Sequence, residues 1–165
     1  MSDLRYPVGD FVARPSTTQV ERQELIASLD GVPARLRAAL AGLSDEQLET
    51  PYRPDGWTLR QTVHHVADSH INAYVRFKLG LTEDVPTVKP YNEKLWAQLE
   101  DGRNADPEIS LRLLDAVHQR WTILLRSLPP EVFAQRLHHP EDGELSLDVV
   151  LQTYEWHGRH HIAHI

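Results

Sequence analysis

The sequence contains no cysteine. That absence excludes disulfides, thiolate metal ligands and a cysteine nucleophile of the protein's own. No stretch approaches the ~20 apolar residues needed to span a bilayer. The opening MSDLRYPVGDF lacks the basic and apolar regions of a secretory leader. There is no basic run either. Lys and Arg number 17 against 24 Asp and Glu, a formal net charge of −7. Nothing therefore supplies the counterion release on which nucleic-acid or anionic-membrane binding depends. Internal repeats and low-complexity segments are missing too. What remains is 165 residues, 41% hydrophobic and 25% charged, the composition of one ordinary globular domain spanning 1–165. The expectation is a cytoplasmic protein with neither a nucleic-acid nor a membrane partner.

Histidine is what the chain does have. Most of its ten lie in two short clusters, TVHHVADSH and WHGRHHIAHI. The surrounding pattern is helical. Residues 1–16, with Pro7, Gly9 and Pro15, read as an extended arm. Apolar residues from Val20 to Leu43 recur at helical spacing, interrupted by Gly31 and Pro33, which predicts a break there. Ser44 caps a short helix. The run Thr58-Leu59-Arg60-Gln61 fits a capping box and opens a helix to about Leu81. A further short helix is expected over about 91–99. Asp106 followed by Pro107 starts another long helix, which the Pro129-Pro130 pair ends. HHPEDGELS holds a turn with a brief extended pair, and Ser146 caps a last helix from Leu147 to the end. Four long helices with short helical pieces in the loops make an all-α four-helix bundle.

On a helical wheel, Asp148, Gln152, Glu155 and Arg159 fall on one side of the last helix, which reads as its solvent face. Val150, Tyr154, His157 and His161 gather opposite, with His164 close by. His160 lies on the flank beside Trp156. His157 and His161 have the i, i+4 spacing of metal-binding helix histidines, though a buried histidine is often only a hydrogen-bonded core residue. A metal site of the open, catalytic kind needs a third ligand. In the other cluster, His70 shares the apolar face of its helix. His65 lies in a polar stripe with Gln61, Thr62, Asp68, Ser69, Asn72 and Arg76, which is either solvated or the wall of a pocket. Spacing alone gives His65 and His70 equal weight.

Several ordered segments resemble the DinB-like superfamily and, within it, the YfiT-like group of metal-dependent hydrolases. They are YPVG, PYRPDGWTLRQTVHHVADSH, RFKLGLTED, KPYNEKLWAQL, HQRWTILLRSL and WHGRHHIAHI. The resemblance implies a four-helix bundle of DinB type, usually homodimeric. It implies one divalent ion per subunit, zinc before nickel. The group's three metal histidines map onto His65, His157 and His161. Chains of that group continue for another turn or more of helix past the last segment.

Three neutral imidazoles leave the ion its full charge. Bound water then falls to a pKa near ~7, and a bound thiol is deprotonated. The first route gives a hydrolase that uses metal hydroxide. The second activates a low-molecular-weight thiol against a small electrophile, as in the bacillithiol S-transferases that the YfiT-like group resembles. Asp68, three residues after His65, is a candidate to orient an imidazole or water, or else a surface charge. Tyr154 is a candidate donor to an oxyanion, or else a core tyrosine. Arg76, on the His65 stripe, is a candidate to attract an anionic cosubstrate, or else an ordinary surface arginine. A site saturated by His160 or His164 would instead mark a non-catalytic metal-binding stress protein.

Overall fold

The computed structural model describes residues 4–165. Its long helices are α1 (Gln19–Asp30), continued after a break by α2 (Val32–Leu40), α4 (Leu59–Thr82), α7 (Pro107–Ser127) and α8 (Leu147–Ile162). Short helices α3 (Asp45–Leu48), α5 (Glu93–Trp96) and α6 (Glu100–Asn104) lie in the loops. A 3-10 turn (Pro130–Ala134) leads to a hairpin of β1 (Arg136–His139) and β2 (Gly143–Ser146).

Local chemistry sets the helix starts. Thr58 accepts from the Gln61 N–H while the Gln61 side chain accepts from the Thr58 N–H, the reciprocal pairing that opens α4. Asp106 caps α7 with Pro107 in its first turn, and Ser146 caps α8. The break after Asp30 falls at Gly31 and Pro33, because proline lacks the N–H that would carry the helix through.

Around the bundle the order is α1, α7, α4, α8, each helix packing on its two neighbours. The apolar core is divided. One cluster joins Ile26, Leu29, Phe77, Trp121, Leu125, Leu147 and Leu151. The other joins Val32, Leu36, Val63, Val66, Leu111 and Leu114. Read along α4, α7 and α8, the buried histidines His70, His118 and His161 fall between the residues of the two clusters. Gly158 lets α8 approach α2, since a Cβ there would meet Val32 Cγ2 at 2.6 Å.

One expectation is overturned. The polar side of α8 is not its solvent face: Asp148, Gln152 and Glu155 are all buried, leaving Arg159 exposed. The N-terminal arm runs antiparallel along that side, and α1 closes it. Extended backbone has unpaired polar groups that need partners, and α8 provides them. Gln152 accepts from the Arg14 N–H at 3.0 Å and donates to the Arg14 carbonyl at 2.9 Å. The Trp156 indole donates to the Gly9 carbonyl, and Ser28 donates to Glu155. Asp148 accepts from Thr17 at 2.6 Å, Arg22 at 2.9 Å and Gln152 at 3.0 Å.

Asp148→Ala strips these three donors of their acceptor and leaves a nearly buried guanidinium unpaired. Unfolding in urea is expected to show a loss of about 3–5 kcal/mol, most of it recovered in the double variant Arg22→Met/Asp148→Leu. A loss below ~1 kcal/mol would show that the arm does not depend on this ion pair.

Candidate metal centre

The helix capped by Thr58 carries His65 inward, and α8 carries His157 and His161 one turn apart. One nitrogen of each ring lies within 4.8 Å of the other two. His65 and His157 face each other through their Nε2 atoms at 3.2 Å. His65 and His161 are buried and His157 partly so. The rings of His65, His70, Tyr154 and His161 surround that of His157. Trp57 packs against the outer side of His65 at 4.5 Å.

Burial, and then mutual repulsion among the imidazoles, pushes the pKa of His157 and His161 well below the ordinary histidine value. Burial lowers His65 to about 4. All three are therefore neutral at physiological pH, the form that binds metal. Among the described residues, no carboxylate stands with the three facing nitrogens. Three convergent neutral nitrogens fit a borderline cation such as zinc or nickel, and not calcium or magnesium, which take oxygen ligands.

His70, the competing candidate for third ligand, stands behind the cluster. It is fully buried, with Nε2 3.1 Å from His157 Nδ1 and Nδ1 2.8 Å from His118 Nε2. His64 is a structural histidine, bonded to Ser110 and to the Ala105 carbonyl. His160, His161 and His164 also come within 4.8 Å of one another. However, His164 already spends Nδ1 on His161 and Nε2 on the Leu4 carbonyl, and His160 stacks on Trp156.

The polar stripe of α4 is not a solvated face, and part of it walls a pocket. His65, Ser69 and Arg76 line a cleft of about 190 Å³, with Tyr91, Glu93, His139, Glu141 and Tyr154 opposite. Tyr91 and His139 carry no helical periodicity that would have revealed them. The loop after α4 delivers Tyr91, held by backbone bonds between Val88, Pro86 and His138 of the hairpin. Val85, at φ +42°, marks backbone strain where that loop begins. A larger groove of about 350 Å³ between α1 and the end of α7 contains no histidine.

Tyr154 belongs to both readings made of it. Its ring packs on the apolar cluster, while its hydroxyl sits 3.5 Å from Arg76 Nη1 at the cleft. Burial raises its pKa, so it stays a protonated donor. The expectation that Asp68 orients an imidazole is not met. Its side chain makes no hydrogen bond to the three histidines, and Asp68 is not among the residues that line the cleft. Burial, then the Asp101 charge, pushes it up to about 6. Arg76 donates to the Lys89 carbonyl, and among the described residues its buried Nε has no partner.

The profile of the DinB superfamily matches residues 28–165. The chain is 48% identical to the Bacillus subtilis protein named "Putative metal-dependent hydrolase YfiT", over 99% of this chain and 92% of the relative. A Bacillus cereus protein with the same functional description is 48% identical over 100% of this chain and 95% of its own. The solved structure of Bacillus subtilis YfiT, described as a probable metal-dependent hydrolase with an unusual four-helix bundle topology, superposes with a TM-score of 0.96. That match is 48% identical and covers 98% of this chain and 93% of the other. A second four-helix bundle protein, 21% identical, matches in fold with a TM-score of 0.58 over 86% of this chain and 94% of its own.

Metal content should fall from one ion per chain to well below half in each of His65→Ala, His157→Ala and His161→Ala, measured by elemental analysis. Stoichiometric metal in His157→Ala would overturn the ligand set. The metal-free protein also has a defined acid limit. His65, His118 and His160 sit near 4 when folded, against ~6.5 when unfolded. Between those values the unfolded chain binds more protons, so stability falls as pH falls. The melting temperature of chelated protein is expected to be flat above pH ~7 and to drop steadily from ~6.5 towards ~4.

Proposed function

The chain belongs to the DinB superfamily, and on that footing we propose that it is a metal-dependent enzyme of the YfiT-like group, in which His65, His157 and His161 hold one divalent ion, zinc by preference, against a small-molecule cleft. The observation that carries this reading is the convergence of three neutral imidazoles, one of which, His65, lines an open cleft. An open side favours chemistry over sequestration.

The ion, when bound, supplies Lewis acidity that lowers the pKa of a water or thiol beside it to near ~7 or below. The favoured nucleophile is a low-molecular-weight thiol of the bacillithiol kind. Arg76, with its buried unpartnered Nε, supplies positive charge for an anionic group on such a cosubstrate. The protonated Tyr154 hydroxyl donates to charge that develops on the electrophile. The thiol proton passes to solvent at the open side of the cleft. The sulfur–carbon bond then forms as the leaving group departs with its electron pair. Water in place of the thiol gives the second reading, a hydrolase, which the names of the Bacillus relatives favour.

The deciding experiment incubates zinc-loaded protein with bacillithiol, or another small thiol, and monochlorobimane. The expected result is adduct formation at least about tenfold faster than with chelated protein, a barrier difference of ~1.4 kcal/mol or more. Ester or amide turnover without acceleration by any thiol would establish the hydrolase instead. No metal-dependent turnover of either kind would remove the enzymatic reading.

A further inference from the structure

We propose that two histidine relays, each ending on a backbone carbonyl, fix the ring tautomers of His157 and His161 so that both present a bare Nε2 to the metal position. The inference rests on the three-histidine reading above and adds positioning residues to it: His70, His118 and His164.

The first relay begins at Leu29. A carbonyl oxygen can only accept, so His118 Nδ1, at 2.8 Å, must carry a hydrogen. A neutral ring has one N–H, which leaves His118 Nε2 bare. It accepts from His70 Nδ1–H at 2.8 Å. His70 Nε2 is then bare in turn and accepts from His157 Nδ1–H at 3.1 Å. His157 Nε2 is left as a lone pair, and this is the atom that faces His65. Every link is determined by the one before it.

The anchor has a cause in the sequence. The carbonyl of Leu29 would bond the N–H four residues on, but that residue is Pro33, which has none. The break between α1 and α2 therefore removes the usual i+4 donor from the Leu29 carbonyl at the level of the histidine layer, and His118 bonds there beside the Gly31 N–H.

The second relay runs through the end of α8. The Leu4 carbonyl accepts from His164 Nε2–H at 3.1 Å, so His164 Nδ1 is bare. It accepts from His161 Nδ1–H at 3.3 Å, which leaves His161 Nε2 bare. Tyr52 stacks on His164 at 4.1 Å and holds the ring in place. The second histidine triple is thus a ligand and its support, and not a second metal site.

The test reads the tautomers directly. Long-range proton–nitrogen spectra of the chelated, 15N-histidine-labelled protein should show His157 and His161 as Nδ1–H, Nε2-bare rings. Either ring in the Nε2–H form would overturn the relay, whatever the metal content of the loaded protein. Zinc affinity, measured by competition with a chromophoric chelator, supplies a second readout. His70→Leu and His118→Leu should raise the zinc dissociation constant about 10–100-fold, while His70→Gln, whose amide oxygen replaces the Nε2 acceptor, should stay within about threefold of wild type. His164→Asn should likewise preserve affinity where His164→Leu weakens it. Equal affinity of His70→Gln and His70→Leu, with both folded by circular dichroism, would reduce these residues to core packing. Absence of zinc binding by wild type, with the tautomers as stated, would sink the metal reading and leave the relays standing.

Discussion

A buried imidazole has two nitrogens, and each needs a partner when water is excluded. That requirement governs the middle of this protein. His65, His70, His118 and His161 are all buried, and the first apolar cluster packs on one side of them and the second on the other. An apolar layer in their place would have been simpler to stabilise. The polar layer is tolerated because its nitrogens bond in series. The series ends inward at the Leu29 carbonyl and outward at the one point where two Nε2 atoms confront each other.

The irregular parts of the chain serve this layer. Pro33 breaks a helix and in doing so leaves a carbonyl for His118. The N-terminal arm is extended and needs polar partners, and α8 supplies them along its length from Asp148 to His164. A regular helix in place of the arm could not offer a free carbonyl at Leu4 while also bonding Gln152 through both backbone groups of Arg14. The four-helix frame thus sets the level of the histidines, and its two irregular elements set which nitrogen of each α8 ring carries the hydrogen.

Much of this was legible in the sequence where the signal is local. Capping by Thr58, Asp106, Pro107 and Ser146 marked helix starts, and Gly31 with Pro33 marked the break. The i, i+4 spacing of His157 and His161 placed two rings together. The polar side of α8 was misread because a helical wheel assumes one buried face. An arm that packs on the opposite side supplies partners for Asp148 and Gln152 that no periodicity records. The choice between His65 and His70 also escaped spacing, since it depends on which neighbour faces each ring: Trp57 and α8 for His65, His118 for His70. His118 is a lone histidine in an amphipathic helix, and its role follows from an acceptor 89 residues away. Tyr91 and His139 arrive on a loop and a hairpin whose pairing is non-local.

The confrontation of His65 and His157 is the physical basis of the proposed metal site. Two bare imidazole nitrogens 3.2 Å apart repel unless something positive lies between them. The relay through His70 leaves His157 without a hydrogen to offer. In the metal-free chain His65 must therefore supply it, as an Nε2–H that donates to His157. His65 can do so because, among the described residues, no carbonyl or histidine hydrogen-bonds its other nitrogen. On the proposed three-histidine reading, a metal ion would take the place of that shared hydrogen, with His65 changing tautomer to receive it while the two α8 rings stay as they are. The asymmetry assigns each helix a different part. On the proposed reading the two α8 rings are held in advance, and His65 of α4, at the edge of the cleft, is the one that adjusts.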